Sequence, residues 1–297
     1  MSIGYACLTV GVENTGQKTC RQANATEDKL KELIGHNLNA LENIIDYNIE
    51  NDIILFRISS DVIPFGSSPV NTIKWQEIFE KKFMDIGEKI LTSGMRVSMH
   101  PGQYTVLNSP NDLVVQRAIE DLNYHTLFLD SLGLSSRHKI ILHIGGVYQD
   151  KNQAVQRFIQ QYNQLTPGIK DRLVLENDDK SYNIKEVLDI GKNVKAPVVF
   201  DNLHNLIKTS EEEKSEFEWI EECKLTWKEK DGVQKIHYSQ QDPLKKPGSH
   251  SSGIRVEEFM SFYEKLDRSD IDIMLEVKDK NISAVACMNA IKNRGKK

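Results

Sequence analysis

Residues that commonly bind divalent metals recur at the ends of short apolar runs in this chain. His100 follows the run that begins at Met95. Five later runs end in the same way, at His143, Glu176, Asp201, His237 and Glu276. Imidazole and carboxylate ligands together suit Zn²⁺, Mn²⁺ or Fe²⁺ and do not distinguish among these ions. If the runs are neighbouring strands, the spacing predicts a metal centre.

Two more histidines extend this set. His204 lies three residues beyond Asp201, and His250 lies in the loop after the run that contains His237. Any one of these residues alone could be a core histidine or a helix cap. Together, however, buried carboxylates without cations would concentrate negative charge in a low-dielectric place. A cluster of two or three metals activates water and stabilises phosphate and leaving oxygen, so metal-dependent phosphodiester chemistry is predicted.

The elements that position these residues alternate along the whole chain. Apolar runs at residues 3–10, 53–58, 95–98, 139–143, 172–176, 197–201, 233–238 and 271–277 predict strands. Helical spacing of apolar residues predicts helices at 26–48, 75–91, 112–132, 152–165, 184–194, 211–227, 256–266 and 283–292. This alternation favours a single (β/α)₈ TIM barrel over residues 1–297 rather than an open doubly wound sheet. Strand C-termini converge on one face of such a barrel.

Composition sets further bounds. The net charge of −5 gives no basic signature for nucleic-acid binding, but carboxylates neutralised by metals leave a nuclease possible. No apolar run approaches the roughly 20 residues of a membrane span, and a secretory signal is not evident, so a cytoplasmic location is expected. The four cysteines lack CxxC spacing, which favours reduced thiols.

Several sequence blocks, taken in order, resemble the UV damage endonuclease family. The most specific are Met99-His100-Pro101-Gly102-Gln103-Tyr104, Leu175-Glu176-Asn177-Asp178 and Ser239-Gln240-Gln241-Asp242-Pro243. The resemblance covers nearly the whole chain and implies a metal-dependent barrel enzyme related to the endonuclease-four type. It implies nicking of double-stranded DNA immediately 5′ to UV photoproducts, and to other helix-distorting or abasic lesions, leaving 3′-hydroxyl and 5′-phosphate ends.

The resemblance also implies roles for individual residues. His100, His143 and Glu176 would hold one metal, and Glu176 would bridge to a second metal held with three further ligands, Asp201, His237 and Glu276. His204 and His250 would hold a third. Two or three divalent ions are thus expected, with Mn²⁺ favoured and Zn²⁺ or Fe²⁺ as alternatives.

Other positions match family residues outside the metal ligands. Gln103 and Tyr104 match residues inserted into the duplex at the lesion. Tyr5 matches an active-site tyrosine, and Lys235 matches a lysine that can be carboxylated in the family. Tyr5 and Lys235 therefore join Glu176 and His237 as candidate catalytic residues. Lys235 in a salt bridge or on a phosphate, and Tyr104 packed on the barrel rim, stay open as alternatives.

Three basic residues are candidate DNA contacts. Lys245 and Lys246 precede His250, and Arg57 lies at a strand end. The lysines in a solvated loop, or Arg57 paired with a barrel carboxylate, are the alternatives. The expected substrate is damaged duplex DNA, bound by a monomer with no membrane involvement.

The chain departs from the family pattern at two places. Ser68 stands before Pro69 where many members carry a histidine, and the loop after Cys7 offers Asn14 as a substitute for the family's first-loop asparagine. Two other functions also stay open. A sugar isomerase or epimerase needs fewer ligands and gives Gln103 and Tyr104 no role. A non-catalytic lesion-binding protein would require an incomplete metal site, whereas all eight expected ligands are present.

Overall fold

The computed structural model describes residues 1–294, in which eight parallel strands close into a barrel. Each strand pairs with the next along the chain, and the first pairs with the last. The predicted TIM barrel is therefore confirmed. The strands are β1 (Ser2–Cys7), β2 (Leu55–Ile58), β3 (Arg96–Met99), β4 (Lys139–His143), β5 (Leu173–Glu176), β6 (Val198–Asp201), β7 (Gln234–Tyr238) and β8 (Ile271–Leu275).

Helices surround the barrel and cover the outer faces of the strands. None of the helices within residues 1–294 is long and apolar enough to cross a lipid bilayer. The helices are α1 (Glu27–Glu50), α2 (Trp75–Ile78), α3 (Glu80–Thr92), α4 (Asp112–Ser131), α5 (Lys151–Gln164), α6 (Pro167–Arg172), α7 (Ile184–Val194), α8 (Asn202–Ile207), α9 (Glu216–Lys224), α10 (Val256–Leu266) and α11 (Asn281–Arg294).

The register of the strands brings the candidate ligands side by side. His143 is the partner of Glu176 across β4 and β5, and Asp201 is the partner of His237 across β6 and β7. Alternate residues of a strand point to the same face. The residues two positions before three of the ligands, Ile141, Val174 and Val199, pack together in one buried cluster. An apolar floor therefore lies beneath this part of the ligand set.

Several predicted boundaries are wrong, for local reasons. The helix predicted at 75–91 breaks at Phe79 into α2 and α3. The helix predicted at 211–227 begins only after Ser215, whose hydroxyl accepts from the backbone N–H of Glu218 while the Glu218 carboxylate accepts from the backbone of Ser215. This reciprocal capping fixes the start of α9 and leaves the acidic residues before it outside the helix. The short helices α6 and α8 were not predicted.

We predict that Gly87→Ala destabilises the protein. A Cβ at Gly87 of α3 would lie 2.0 Å from the carbonyl oxygen of Leu132, so the two helices must move apart. The expected loss in free energy of unfolding is about 1–3 kcal/mol, the usual cost of overpacking. Urea denaturation measures it.

The matched control is Gly35→Ala in α1. A Cβ there meets only the Phe79 ring, at 3.4 Å, so the helix tolerates it. Alanine should then stabilise by up to about 1 kcal/mol through its higher helix propensity. Equal stability changes in the two variants would contradict the close approach at Gly87.

Candidate metal centre

The predicted ligands meet at the mouth of the barrel, the end at which the strands terminate. Each side chain is placed there by the end of a different strand. His100 directly follows β3 and Glu276 directly follows β8, while His143, Glu176 and Asp201 end β4, β5 and β6. His237 lies one residue before the end of β7.

The Glu176 carboxylate is the centre of the arrangement. It is 1% exposed, and imidazole nitrogens of His237, His100, His143 and His204 lie 2.6, 3.0, 3.5 and 4.0 Å from its oxygens. Burial alone would raise the pKa of Glu176. The charges of His237 and His143 and the hydrogen bonds from His100 and His237 outweigh burial and hold this pKa well below its ordinary value.

The side chains form two groups that could each hold a divalent ion. In each group, one ligand atom from every residue lies within 4.8 Å of the others. The first group is His100, His143 and Glu176, and the second is Glu176, Asp201, His237 and Glu276. These are the two ligand sets that the family resemblance implied, with Glu176 common to both.

Unpartnered polar atoms in these groups support a fit to cations. Asp201 Oδ2, His237 Nε2 and His143 Nδ1 are buried and have no hydrogen-bond partner among the residues described. A buried polar atom without a partner is costly, so such atoms are uncommon. Oxygen and imidazole donors around three buried carboxylates suit divalent transition-metal ions.

His204 and His250 reach the same cavity but belong to neither group. The Nδ1 atom of His204 lies 2.8 Å from the carbonyl oxygen of Asn177 and 3.7 Å from Asp201 Oδ1. His250 Nε2 lies 3.9 Å from Glu276 Oε2. Burial disfavours charge on His204, but Asp201 and the neighbouring glutamates outweigh it and raise the pKa of His204 to about 9. A third ion held by these two histidines stays a prediction.

Arg57 forms an ion pair with Glu276, and both side chains are 11% exposed. Of the two interpretations that the sequence allowed, the structure shows the pairing with a barrel carboxylate. Burial opposes the charge of Glu276, but Arg57 and then His237 hold its pKa below the ordinary value. Arg57 also lines a cavity of about 700 Å³ at the mouth of the barrel, and a phosphate contact for it stays a prediction.

Lys235 lies inside the barrel two residues before His237. Its Nζ is fully buried and has no hydrogen-bond partner within residues 1–294, so the salt bridge considered above is not formed. Burial and the nearby Arg96 lower the pKa of Lys235 well below its ordinary value. Its carboxylation stays a prediction.

The Tyr5 hydroxyl is turned away from the cavities of the mouth. It donates to Asn48 Oδ1 at 2.7 Å and lies 2.8 Å from Thr9 Oγ1. Tyr5 is 0% exposed and lines neither of the two large cavities described below. Thr9, rather than Asn14, is the first-loop side chain bonded to it, whereas the Asn14 carbonyl accepts from Asn43. The structure therefore places Tyr5 behind the ligands, and a catalytic role for it stays a prediction.

Two cavities open at the mouth. One of about 700 Å³, the ligand cavity, is lined by Cys7, Lys180, Lys246 and six of the eight predicted ligands: His100, His143, Glu176, His204, His250 and Glu276. The other, of about 450 Å³, shares His143 and His204 with the first. Sequence reasoning missed Cys7 and Lys180, although Cys7 ends β1 and Lys180 follows Glu176 by four residues. Strand-end position was the signal that could have found Cys7, and a basic residue in the loop after β5 was the signal for Lys180.

Gln103 and Tyr104 lie on the loop after His100 and line the smaller cavity. Tyr104 is 73% exposed, so most of its side chain is open to solvent. Its ring covers Gly102, where an added Cβ would lie 2.3 Å from the nearest ring carbon. Glycine at this position therefore leaves the space that the aromatic ring occupies.

Buried polar residues fix this loop from behind. Thr105 donates to the Asp121 carboxylate at 2.6 Å. The Ser60 hydroxyl donates to the His100 carbonyl oxygen at 3.0 Å and lies 2.8 Å from His125 Nε2. Asp121 and His125 both belong to α4 and are buried. The loop is thus held at both ends, which leaves the Tyr104 ring free to contact a ligand.

The two loop lysines differ in their surroundings. Lys245 Nζ lies 3.6 Å from the Asp242 carboxylate, which Lys278 approaches at the same distance. Lys246 lines the ligand cavity. Lys246 is therefore the better placed of the two to bind phosphate. Ser68 lines a separate pocket with Tyr104 and Asp121, away from the ligands.

The fold and the ligand set define a (β/α)₈ barrel protein with a candidate divalent-metal centre at its mouth. Residues 1–295 match the family described as UV-endonuclease UvdE. The chain therefore belongs to this family of DNA repair endonucleases, enzymes that act on phosphodiester bonds.

Relatives agree with this assignment. A UV DNA damage endonuclease of Clostridium perfringens is 44% identical over 100% of this chain and 72% of its own length. One of Bacillus cereus strain Q1 is 34% identical over 90% of this chain and 84% of its own. The solved structure of SacUVDE is 37% identical, with a TM-score of 0.94 over 100% of both chains.

More distant structures share the fold alone. Endonuclease IV from Thermus thermophilus has a TM-score of 0.58 at 10% identity over 98% of each chain. D-psicose 3-epimerase from Clostridium cellulolyticum has a TM-score of 0.53 at 14% identity, over 80% of this chain and 79% of its own. This barrel therefore occurs in both enzyme classes that the sequence left open.

We predict that Glu176→Gln removes the ions of both ligand groups, because its carboxylate is the ligand they share. His100→Ala should remove only the ion of the first group. Equilibrium dialysis against Mn²⁺, followed by metal analysis, measures the bound ions. Glu213→Gln, an exposed change of the same chemistry, is the control. Wild-type metal content in Glu176→Gln would contradict the shared centre.

Proposed function

We propose that the chain nicks duplex DNA immediately 5′ to UV photoproducts, and to other helix-distorting or abasic lesions, in a metal-dependent reaction. The products would carry 3′-hydroxyl and 5′-phosphate ends. The observation that carries the proposal is the shared carboxylate of Glu176 at the centre of two ligand groups, in a chain of this family. Two or three divalent ions are proposed, with Mn²⁺ preferred over Zn²⁺ and Fe²⁺.

Different residues at the mouth have different roles in the proposed reaction. Divalent ions held by the two ligand groups would supply an activated water and neutralise charge on the phosphate. Glu176 and His237 hold the second ligand group together through their 2.6 Å contact. Arg57 balances the Glu276 charge beside the cavity, and Lys246 lines the wall along which the DNA backbone would lie.

Lesion recognition is assigned to Gln103 and Tyr104. Damaged steps cost less to bend and unstack, so an enzyme can find them without reading base edges. An exposed aromatic ring on a loop fixed from behind is suited to fill the gap left in the stack. The loop starts at His100, so lesion sensing and the first ligand group share one segment of chain.

Family membership favours a nuclease over a sugar epimerase, whose likeness concerns the fold alone. A complete ligand set argues against a protein that only binds lesions. We further propose a monomer that acts at the nucleoid in the cytoplasm. Sedimentation of the protein with and without DNA tests the monomer, and a shift to a dimer would contradict it.

We predict one cut 5′ to the lesion in an end-labelled duplex that carries a single defined photoproduct. Reactions with Mn²⁺, Zn²⁺ or Fe²⁺ report the metal preference, and end-group analysis reports the products. Glu176→Gln should still bind the duplex but not cut it, since its loss acts on the metal centre. If wild-type protein with Mn²⁺ nicks irradiated and intact plasmid at equal rates, the lesion specificity is wrong.

We predict that Tyr104→Ala and His100→Ala separate recognition from cleavage. Stacking on an aromatic side chain contributes about 1–3 kcal/mol per base, so Tyr104→Ala should reduce the preference for damaged DNA roughly 5- to 150-fold. His100→Ala should lower the cleavage rate at least about 100-fold, because even outer partners of metal ligands cost about 10- to 100-fold. Cleavage rates of both variants are measured on matched damaged and intact duplexes. If the two variants change the preference for damaged DNA and the cleavage rate to the same extent, recognition and cleavage are not separate.

A further inference from the structure

Leu244 is an apolar side chain at the tip of the loop that follows β7. It is 92% exposed. The loop runs from Gln241 to His250, two residues that form an isolated antiparallel bridge. A leucine in water gains about 1.5–3 kcal/mol on full burial, so such a position favours contact with an apolar surface.

Hydrogen bonds within this loop hold the tip outward. The Gln241 side-chain nitrogen donates to the carbonyl oxygens of Asp242 at 2.7 Å and Lys246 at 3.1 Å, and its side-chain oxygen accepts from the Gly248 backbone at 2.8 Å. The Asp242 backbone N–H donates to the Ser249 carbonyl oxygen at 2.7 Å. The loop is therefore closed on itself, and Leu244 is presented to solvent by a fixed scaffold.

This scaffold stands at the mouth, across from Tyr104. Lys246 and Gly248 of the loop line the ligand cavity. Tyr104 follows β3 and Leu244 follows β7, and strands four apart in a closed ring of eight lie on opposite sides. Eight strands spaced about 4.8 Å apart and tilted about 36° enclose a ring about 15 Å across. The ring of strands is therefore about as wide as four base-pair steps of about 3.4 Å each.

We propose that Leu244 is a second wedge, which packs against bases or sugars of the bent duplex on the side of the metal centre opposite Tyr104. This inference rests on the proposed function, since it requires DNA at the mouth. Leucine is among the side chains that proteins insert at kinked base steps. Lys246, two residues further on, supplies a positive charge for the adjacent phosphate. DNA bent over the mouth would then be held at two points, with the cleavage centre between them.

The test compares Leu244→Ala with Leu225→Ala. Leu225 is also an exposed leucine, at 82%. It follows α9, and the next two side chains, Thr226 and Trp227, hydrogen-bond to the backbone of Val198 at the start of β6, the end of the barrel away from the mouth. Binding of the metal-loaded protein is measured on a duplex with one photoproduct and a phosphorothioate at the cleavable position. Leu244→Ala should weaken binding at least about tenfold, while Leu225→Ala binds like wild type.

The salt dependence of binding identifies the kind of contact. Leu244→Ala should keep the wild-type slope of log affinity against log salt, because no charge is removed. Lys246→Ala should reduce that slope by about 1, as expected for one phosphate contact. Equal Mn²⁺ content and circular dichroism in all variants exclude misfolding as the cause of weaker binding.

Two outcomes would overturn the inference. One is affinity in Leu244→Ala equal to that of Leu225→Ala. The other is a dimer of wild-type protein that Leu244→Ala dissociates with no change in DNA affinity, which would assign the leucine to self-association. If wild-type protein neither binds nor nicks the damaged duplex, the proposed function itself fails. If wild-type protein nicks the damaged duplex and Leu244→Ala binds it with unchanged affinity, the role of Leu244 is rejected and the proposed function stands.

Discussion

The burial of the Glu176 carboxylate is the constraint on which the mouth of this barrel depends. An ionised carboxylate away from water is costly unless charged or hydrogen-bonding partners surround it. Here the partners are four imidazoles, and each reaches Glu176 from a different segment of the chain. The barrel closes in chain order, with His143 the register partner of Glu176 and Asp201 that of His237, and so brings these segments together. The site therefore depends on the closure of the barrel.

The same electrostatic requirement is met by direct ion pairs further down the barrel. Lys139 contacts the Asp231 carboxylate at 2.6 Å, and Arg96 contacts Asp272 at 3.0 Å. Barrel interiors are commonly filled by branched apolar side chains. Here charged pairs occur together with the small apolar cluster beneath the ligands, and Lys235 stands without a hydrogen-bond partner among residues 1–294. Buried ion pairs as well as apolar packing therefore fill the interior of the barrel.

Sequence alone predicted the parts of this structure that depend on local pattern. Strands ending in a ligand, such as Ile140 to His143, are visible because apolar runs and residue type are read directly from neighbouring positions. The start of α9 had an equally local signal in Ser215 and Glu218, which the prediction overlooked. The contact between Thr105 and Asp121 could not be predicted, because it joins side chains that meet only after the barrel closes. For the same reason the sequence offered two partners for Arg57 and could not choose between them.

The ion pair between Arg57 and Glu276 gives part of the carboxylate cluster a charged partner within the chain itself. A guanidinium group keeps its proton in proteins at any ordinary pH, so the positive charge beside Glu276 is permanent. The chain thus carries a covalently attached counter-ion for part of its own carboxylate cluster. Loss or exchange of an ion at the candidate centre would therefore leave Glu276 with a charged partner.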